Sequence, residues 1–224
     1  MKYAVLGTGM VGKTIATKLI SLGHEVMMGS RTKGNERAVA WAAEAGENAS
    51  EGTFAAAAAF AERIVNCTAG VASVAALEAA GADAIGDKII VDVANPLDFS
   101  KGFPPTLSVC NDDSLGEQIQ RAFPRARVVK TLNTINCVLM VDPAGVPGDH
   151  VIFLCGDDEA AKGEVRGLLG ELGWTAPRIV DGGGISFARG TEAYLLLWIR
   201  LFGAFGNANF NIEIKQGATI RAAD

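Results

Sequence analysis

Gly7, Gly9 and Gly12 stand in the spacing G-x-G-x-x-G, with Thr8, Met10 and Val11 between them. These residue types suit a pyrophosphate: a tight turn at Gly7, close approach of the backbone to the phosphates at Gly9, and close helix-to-strand packing at Gly12. An anion in that loop sits on the N-terminus of the helix that follows, where unpaired N–H groups and the helix dipole favour negative charge. The chemistry implied is dinucleotide binding.

A second group of residues decides which dinucleotide. NAD sites place an Asp or Glu at the end of the next strand, where it binds the ribose 2'-hydroxyl. Here the strand end reads Gly29-Ser30-Arg31-Thr32-Lys33, without an acid. Ser30 and Thr32 offer hydroxyls, and Arg31, with Lys33 and Arg37, offers positive charge to a 2'-phosphate. The expected cofactor is NADP(H) rather than NAD(H), the bland alternative being a basic loop that only meets water.

Ligands of open α/β sheets collect outside the carboxyl ends of the strands. That rule adds Thr68, Ala69 and Gly70 to the glycine loop, then Val93, Ala94 and Asn95, and then Asn133, Thr134 and Ile135. No acid–base pair stands among them. The two histidines, His24 and His150, open strands at what should be the opposite ends, which points to surface or structural roles. Hydride transfer to a conjugated ring needs orientation and exclusion of water, whereas reduction of a carbonyl ordinarily needs a protein proton donor. A cofactor-to-cofactor reductase with a small-molecule redox acceptor is expected.

Alternating elements must carry these residues. Tyr3-Ala4-Val5-Leu6 is an uncharged apolar run that suits a strand covered on both faces. Val11, Ile15, Leu19 and Leu22 then recur at helical spacing. Further strands are expected over 24–28, 52–54, 64–68, 88–93 and 128–132. Helices are expected over 36–45, 55–61 and 71–80, and from a capping box at Ser114 and Glu117 to about Phe123. This alternation predicts the α/β class, a doubly wound parallel Rossmann sheet over residues 1–135 that binds the NADP.

Residues 136–224 read as a small C-terminal α/β extension for the acceptor pocket and dimer contacts. Its strands fall over 150–155 and 178–180. Between them lies a helix over 157–172, capped by Asp157 and Asp158. It ends in a long apolar helix, 192–205, whose core reads YLLLWIRLFGAF. A helix apolar nearly all round must be buried, either on the sheet and a partner copy or as the wall of a pocket. A homodimer is the expectation.

The whole chain narrows the function classes. With 224 residues and a net charge of -5, it has no basic excess to hold a nucleic acid. Cys67, Cys110, Cys137 and Cys155 are dispersed without a C-x-x-C pair, so neither a metal site nor a redox dithiol is expected, and Cys67 and Cys155 read as small core residues. The first strand begins at once, which implies no signal peptide. The greasiest stretch, 193–205, is short for a bilayer and contains Arg200, so no membrane partner and a cytoplasmic location are expected.

The strings GTGMVG, MMGSR, VVKTLNTIN and CGDDEAAK, in that order and followed by a glycine-rich link into an apolar helix, resemble the NADPH-dependent reductases of the deazaflavin coenzyme F420. They resemble most the family's bacterial dinucleotide-binding branch, and the cytosolic reductase domain of the six-transmembrane metalloreductases is similar. The resemblance implies NADP on Thr8 to Val11, Ser30 and Arg31, with Ala69, Ser73 and Val93 lining the site. It also implies that nicotinamide and acceptor ring meet near Asn133, Thr134 and Ile135. Coenzyme F420 reductases typically carry L-H-T-I-P where this chain has Leu132-Asn133-Thr134-Ile135-Asn136, so the acceptor stays open between a deazaflavin and a flavin. Two other readings share the glycine loop: a non-catalytic NADPH sensor, and a dehydrogenase of the 3-hydroxyacid or pyrroline-carboxylate type.

Overall fold

In a computed structural model that describes residues 1–217 there are ten strands, the central ones built from short aliphatic runs. They are β1 (Lys2–Leu6), β2 (Glu25–Ser30), β3 (Ala49–Thr53), β4 (Arg63–Asn66) and β5 (Ile89–Asp92), then β6 (Leu97–Asp98), β7 (Thr106–Leu107), β8 (Arg127–Thr131), β9 (Ile152–Cys155) and β10 (Ile179–Asp181). The helices between them are α1 (Met10–Ser21), α2 (Glu36–Ala45), α3 (Phe54–Phe60), α4 (Ser73–Ala80) and α5 (Ala82–Ile85). After these come α6 (Leu115–Ala122), α7 (Cys137–Val141), α8 (Glu159–Glu171) and α9 (Ala188–Phe205).

Eight strands build one sheet in the order β10-β9-β8-β5-β4-β1-β2-β3, and β6 pairs with β7 in a small antiparallel hairpin. The chain winds outward from β1 in both directions, so the strand order reverses there. A crevice opens at such a switch point, beyond the carboxyl ends of the strands. Strand geometry sends alternate side chains to opposite faces. Tyr3 and Val5 accordingly join Ile15, Leu19 and Trp41 in one core, while Ala4 and Leu6 join Phe54, Ala57 and Leu77 in the other. Each fully buried Ile or Leu in these layers contributes about 1.5–3 kcal/mol of transfer free energy.

The expected α/β class and mainly parallel sheet are present, with four differences of detail. First, β9 runs antiparallel to β8, with Thr131 opposite Leu154. The link between them carries the short α7 and a 3-10 turn at Pro143–Gly145, with Cys137, Leu139 and Met140 packed on the α1 side, so the chain does not cross the sheet and returns in the opposite direction. The strands after residue 135 thus continue the same sheet; the last seven residues of the 136–224 segment lie outside the described ones.

Second, of the Asp157–Asp158 pair only Asp158 caps α8, its carboxylate accepting from Ala161 N at 2.7 Å, while Asp157 accepts from Ile185 N at 2.8 Å. Third, the capping box at α6 is half made. Ser114 Oγ accepts from Glu117 N at 3.1 Å, but the Glu117 carboxylate takes the Ser114 hydroxyl and Arg189 instead of the Ser114 N–H. Fourth, α9 is not buried all round in the single chain. Ala188, Thr191, Glu192, Leu195 and Ile199 form its buried stripe, whereas Leu196, Leu197, Phe202 and Phe205 are exposed.

Candidate functional site

The glycine loop is shaped by close backbone packing. Gly7 has φ +120°, a value that favours glycine, and a Cβ there would stand 2.6 Å from Cys67 O. A Cβ on Gly12 would stand 2.1 Å from Gly7 O, which fixes α1 tightly against the end of β1. At Gly9 a Cβ would meet no protein atom within 4 Å, so the backbone there faces open space. No side chain caps the first turn of α1, and that turn carries no acid. Bare N–H groups at a helix start beside an open loop fit a pyrophosphate.

Two lobes open from this loop. The first, about 820 Å³, runs from Gly7, Thr8 and Gly9 to Ser30, Arg31 and Thr32. Its far wall is the small-residue stripe Ala72, Ala75, Ala76 and Ala79, with Asn35 and Phe54 at its side. The second lobe, about 430 Å³, shares Cys67, Thr68 and Ala69 with the first. It continues over Val11, Gly70 and Val71 to Val93, Ala94 and Asn95, and is closed by Leu97, Asp98 and Phe99.

Several expected residues stand elsewhere. Lys33 is exposed and lines neither lobe, and Met10 borders a separate hollow of about 330 Å³ with Thr8, Lys13 and Arg37. Ser73 is fully buried beneath Thr68, their hydroxyls 2.8 Å apart. Asn133, Thr134 and Ile135 are buried and line neither lobe. The Asn133 amide donates to Asn95 Oδ1 at 2.9 Å, and the Asn95 amide donates back to Asn133 O at 2.9 Å. Asn133 therefore fixes a residue of the second lobe from behind.

Residues that sequence reasoning missed come from two signals. The alanines of the first lobe recur at helical spacing and were legible as a small-residue stripe. Leu97 and Asp98 form β6 and Phe99 follows it, a two-residue strand too short to leave a periodic signal.

The second lobe has two titratable side chains, and neither is poised to give up a proton near neutrality. Hydrogen bonds from the Ser100 N–H and hydroxyl hold the Asp98 carboxyl below its ordinary range. Burial pushes the Cys67 thiol far up. The histidines lie away from both lobes: His24 Nε2 is 2.7 Å from Glu171, and buried His150 Nε2 is 2.9 Å from Pro143 O. Among the described residues no cluster of His, Cys, Asp and Glu has the arrangement of a metal site, and no helix is long and apolar enough to cross a membrane.

Behind the lobes lies a buried charge cluster. Lys130, 1% exposed, places its ammonium 2.7 Å from Asp92 Oδ2 and 2.8 Å from Glu192 Oε1, and donates to Ala94 O. Burial pulls the lysine down, but the two carboxylates outweigh it and leave its pKa raised. Asn66 links the cluster to the cleft: its amide donates to Asp92 Oδ1 at 2.8 Å, and its carbonyl oxygen accepts from the Thr68 hydroxyl at 2.7 Å.

Known proteins resemble this chain. Residues 2–96 match the family described as "NADP oxidoreductase coenzyme F420-dependent". A crystal structure from Arthrobacter sp. FB24, provisionally named an F420-dependent NADP reductase, is 53% identical with a TM-score of 0.91, covering 96% of this chain and 100% of that one. The metalloreductase STEAP3 of Rattus norvegicus is 28% identical over 231 residues; they cover 96% of this chain but only 43% of that protein. A reductive aminase from Aspergillus terreus, solved with NADPH and ethyl-5-oxohexanoate, has a TM-score of 0.65 at 20% identity, covering 92% of this chain and 62% of that one, a likeness of fold alone.

Proposed function

The chain belongs to the family of coenzyme F420-dependent NADP oxidoreductases and is an NADP-dependent oxidoreductase; on that premise we propose that it passes hydride between NADPH and a conjugated-ring acceptor, coenzyme F420 or failing that a flavin. The observation that carries this reading is the second lobe: apolar, continuous in its wall with the glycine-loop lobe, and without a proton donor near neutrality. A carbonyl or imine substrate would ask for such a donor, and a conjugated ring does not.

In this reading Gly9 and the start of α1 hold the pyrophosphate, and Ser30, Arg31 and Thr32 surround the 2'-phosphate. Thr68, Val93, Ala94 and Asn95 position the nicotinamide end, while Val71 and Phe99 shield it from water. Bound NADPH supplies a hydride, and the acceptor ring takes it together with a proton from solvent. Asn133 acts through Asn95 rather than at the ring. We further propose that two copies pair through the exposed face of α9, and that the protein works in the cytoplasm.

The test offers coenzyme F420, FMN, FAD and no acceptor in parallel, following loss of NADPH absorbance. Rapid oxidation with F420 alone supports the deazaflavin reading, and oxidation with a flavin alone replaces it. Tight NADPH binding without oxidation by any acceptor moves the sensor reading forward, which the closed surface over Ile135 favours.

A further inference from the structure

The buried cluster behind the second lobe has an odd number of charges. Asp92 only accepts hydrogen bonds, from Lys130, the Asn66 amide and, at 3.3 Å, Ala94 N. Glu192, reaching in from α9, only accepts as well: Leu115 N donates to it at 2.8 Å and Gly116 N at 3.0 Å, besides the Lys130 ammonium. Every partner that either carboxylate meets is a donor. One ammonium thus faces two buried carboxylates, a formal excess of one negative charge in the interior.

Lys130 and Asp92 bind the C=O and the N–H of Ala94, so the cluster stands directly behind a residue of the second lobe. Replacing a buried ion cluster with apolar groups often leaves stability unchanged or improved, so stability alone is a weak reason for this one. Its field is another matter. An oxidised nicotinamide ring carries a positive charge and a reduced one carries none, so a fixed negative charge nearby distinguishes the two redox states.

We propose that the Asp92–Lys130–Glu192 cluster, through the extra carboxylate that α9 contributes, biases the site toward oxidised NADP+ over NADPH and so favours hydride donation by the bound cofactor. This rests on the reading that NADP binds here with its nicotinamide end in the second lobe. Glu192 is then a positioning residue for charge rather than a catalytic one.

The experiment measures dissociation constants of NADP+ and NADPH separately, with thermal midpoints, for the wild type and for Glu192→Gln. The wild type is expected to hold NADP+ more tightly. Glu192→Gln is expected to cut that preference by roughly five- to thirtyfold, the order of effect of one nearby unit charge at an effective dielectric constant of about 20. An unchanged ratio in a folded Glu192→Gln protein overturns the proposal and leaves the cluster a structural one, whatever its midpoint. If that variant does not fold, the wild type still decides, because tighter binding of NADPH than of NADP+ overturns the proposal without any substitution. A wild type that binds neither form overturns the NADP reading itself.

Discussion

Arg31 lines the first lobe and, among the described residues, pairs with no carboxylate. Its guanidinium is thus available to a 2'-phosphate, whereas the Ser30 hydroxyl is engaged with Thr32 O at 2.6 Å. A charge-assisted hydrogen bond contributes about 1.5–3 kcal/mol. Arg31→Ala is therefore expected to weaken NADPH about ten- to a hundredfold while leaving NADH almost unchanged. Titrating both cofactors checks this, and equal losses for the two would remove Arg31 from the 2'-phosphate. At this scale the sequence was most informative where one residue type has one physical use: the glycines, and the missing acid at the end of β2. It was least informative where function depends on what lies behind a residue. Nothing in the string LNTIN tells that Asn133 faces inward to Asn95, because that pairing joins loops 38 residues apart.

At the scale of elements, Gly9 and Gly12 separate binding from folding. Gly9 has φ -78° and no protein neighbour for an added methyl, so Gly9→Ala should keep stability within about 0.5 kcal/mol yet cost NADPH binding more than about tenfold. Gly12→Ala would push α1 off Gly7 O and cost about 3 kcal/mol, a fall in Tm of roughly 6–12 °C. Calorimetry with and without NADPH distinguishes the two. A second element-scale consequence concerns α6 and α9, joined by Arg189 and Glu117 at 2.6 Å. The Arg189 hydrogen bonds hold the Glu117 carboxyl below the ordinary glutamate range. A depressed carboxylate contributes stability that is present above its unfolded pKa and lost as pH falls through the lower native one. Acid unfolding should therefore show a loss that begins as pH falls into the ordinary glutamate range and is complete only below it, and Glu117→Gln should flatten it. Strand and helix positions were legible because apolar runs and periodic faces are local signals. The direction of β9 was not, since it depends on which side of the sheet α7 packs, a tertiary choice.

At the scale of the whole molecule, α9 is the element the single chain leaves incomplete. Leu197 and Phe205 are 55% and 56% exposed, and the Tyr194 hydroxyl and Trp198 Nε1 are buried without a hydrogen-bond partner among the described residues. Exposed leucines and phenylalanines along one helix form a surface that a two-fold axis can pair with itself, each copy covering the other. The same helix delivers Glu192 to the charge cluster and Arg189 to α6, so pairing through it would also steady the wall behind the cleft. The wild type is accordingly expected to sediment as a dimer at micromolar concentration. Because Leu197 is outside the core, Leu197→Glu should leave the fold intact and give a monomer with weakened acceptor turnover and near-normal NADPH binding. A wild-type monomer, or an unchanged dimer in a folded Leu197→Glu protein, would show that α9 meets something other than its own copy.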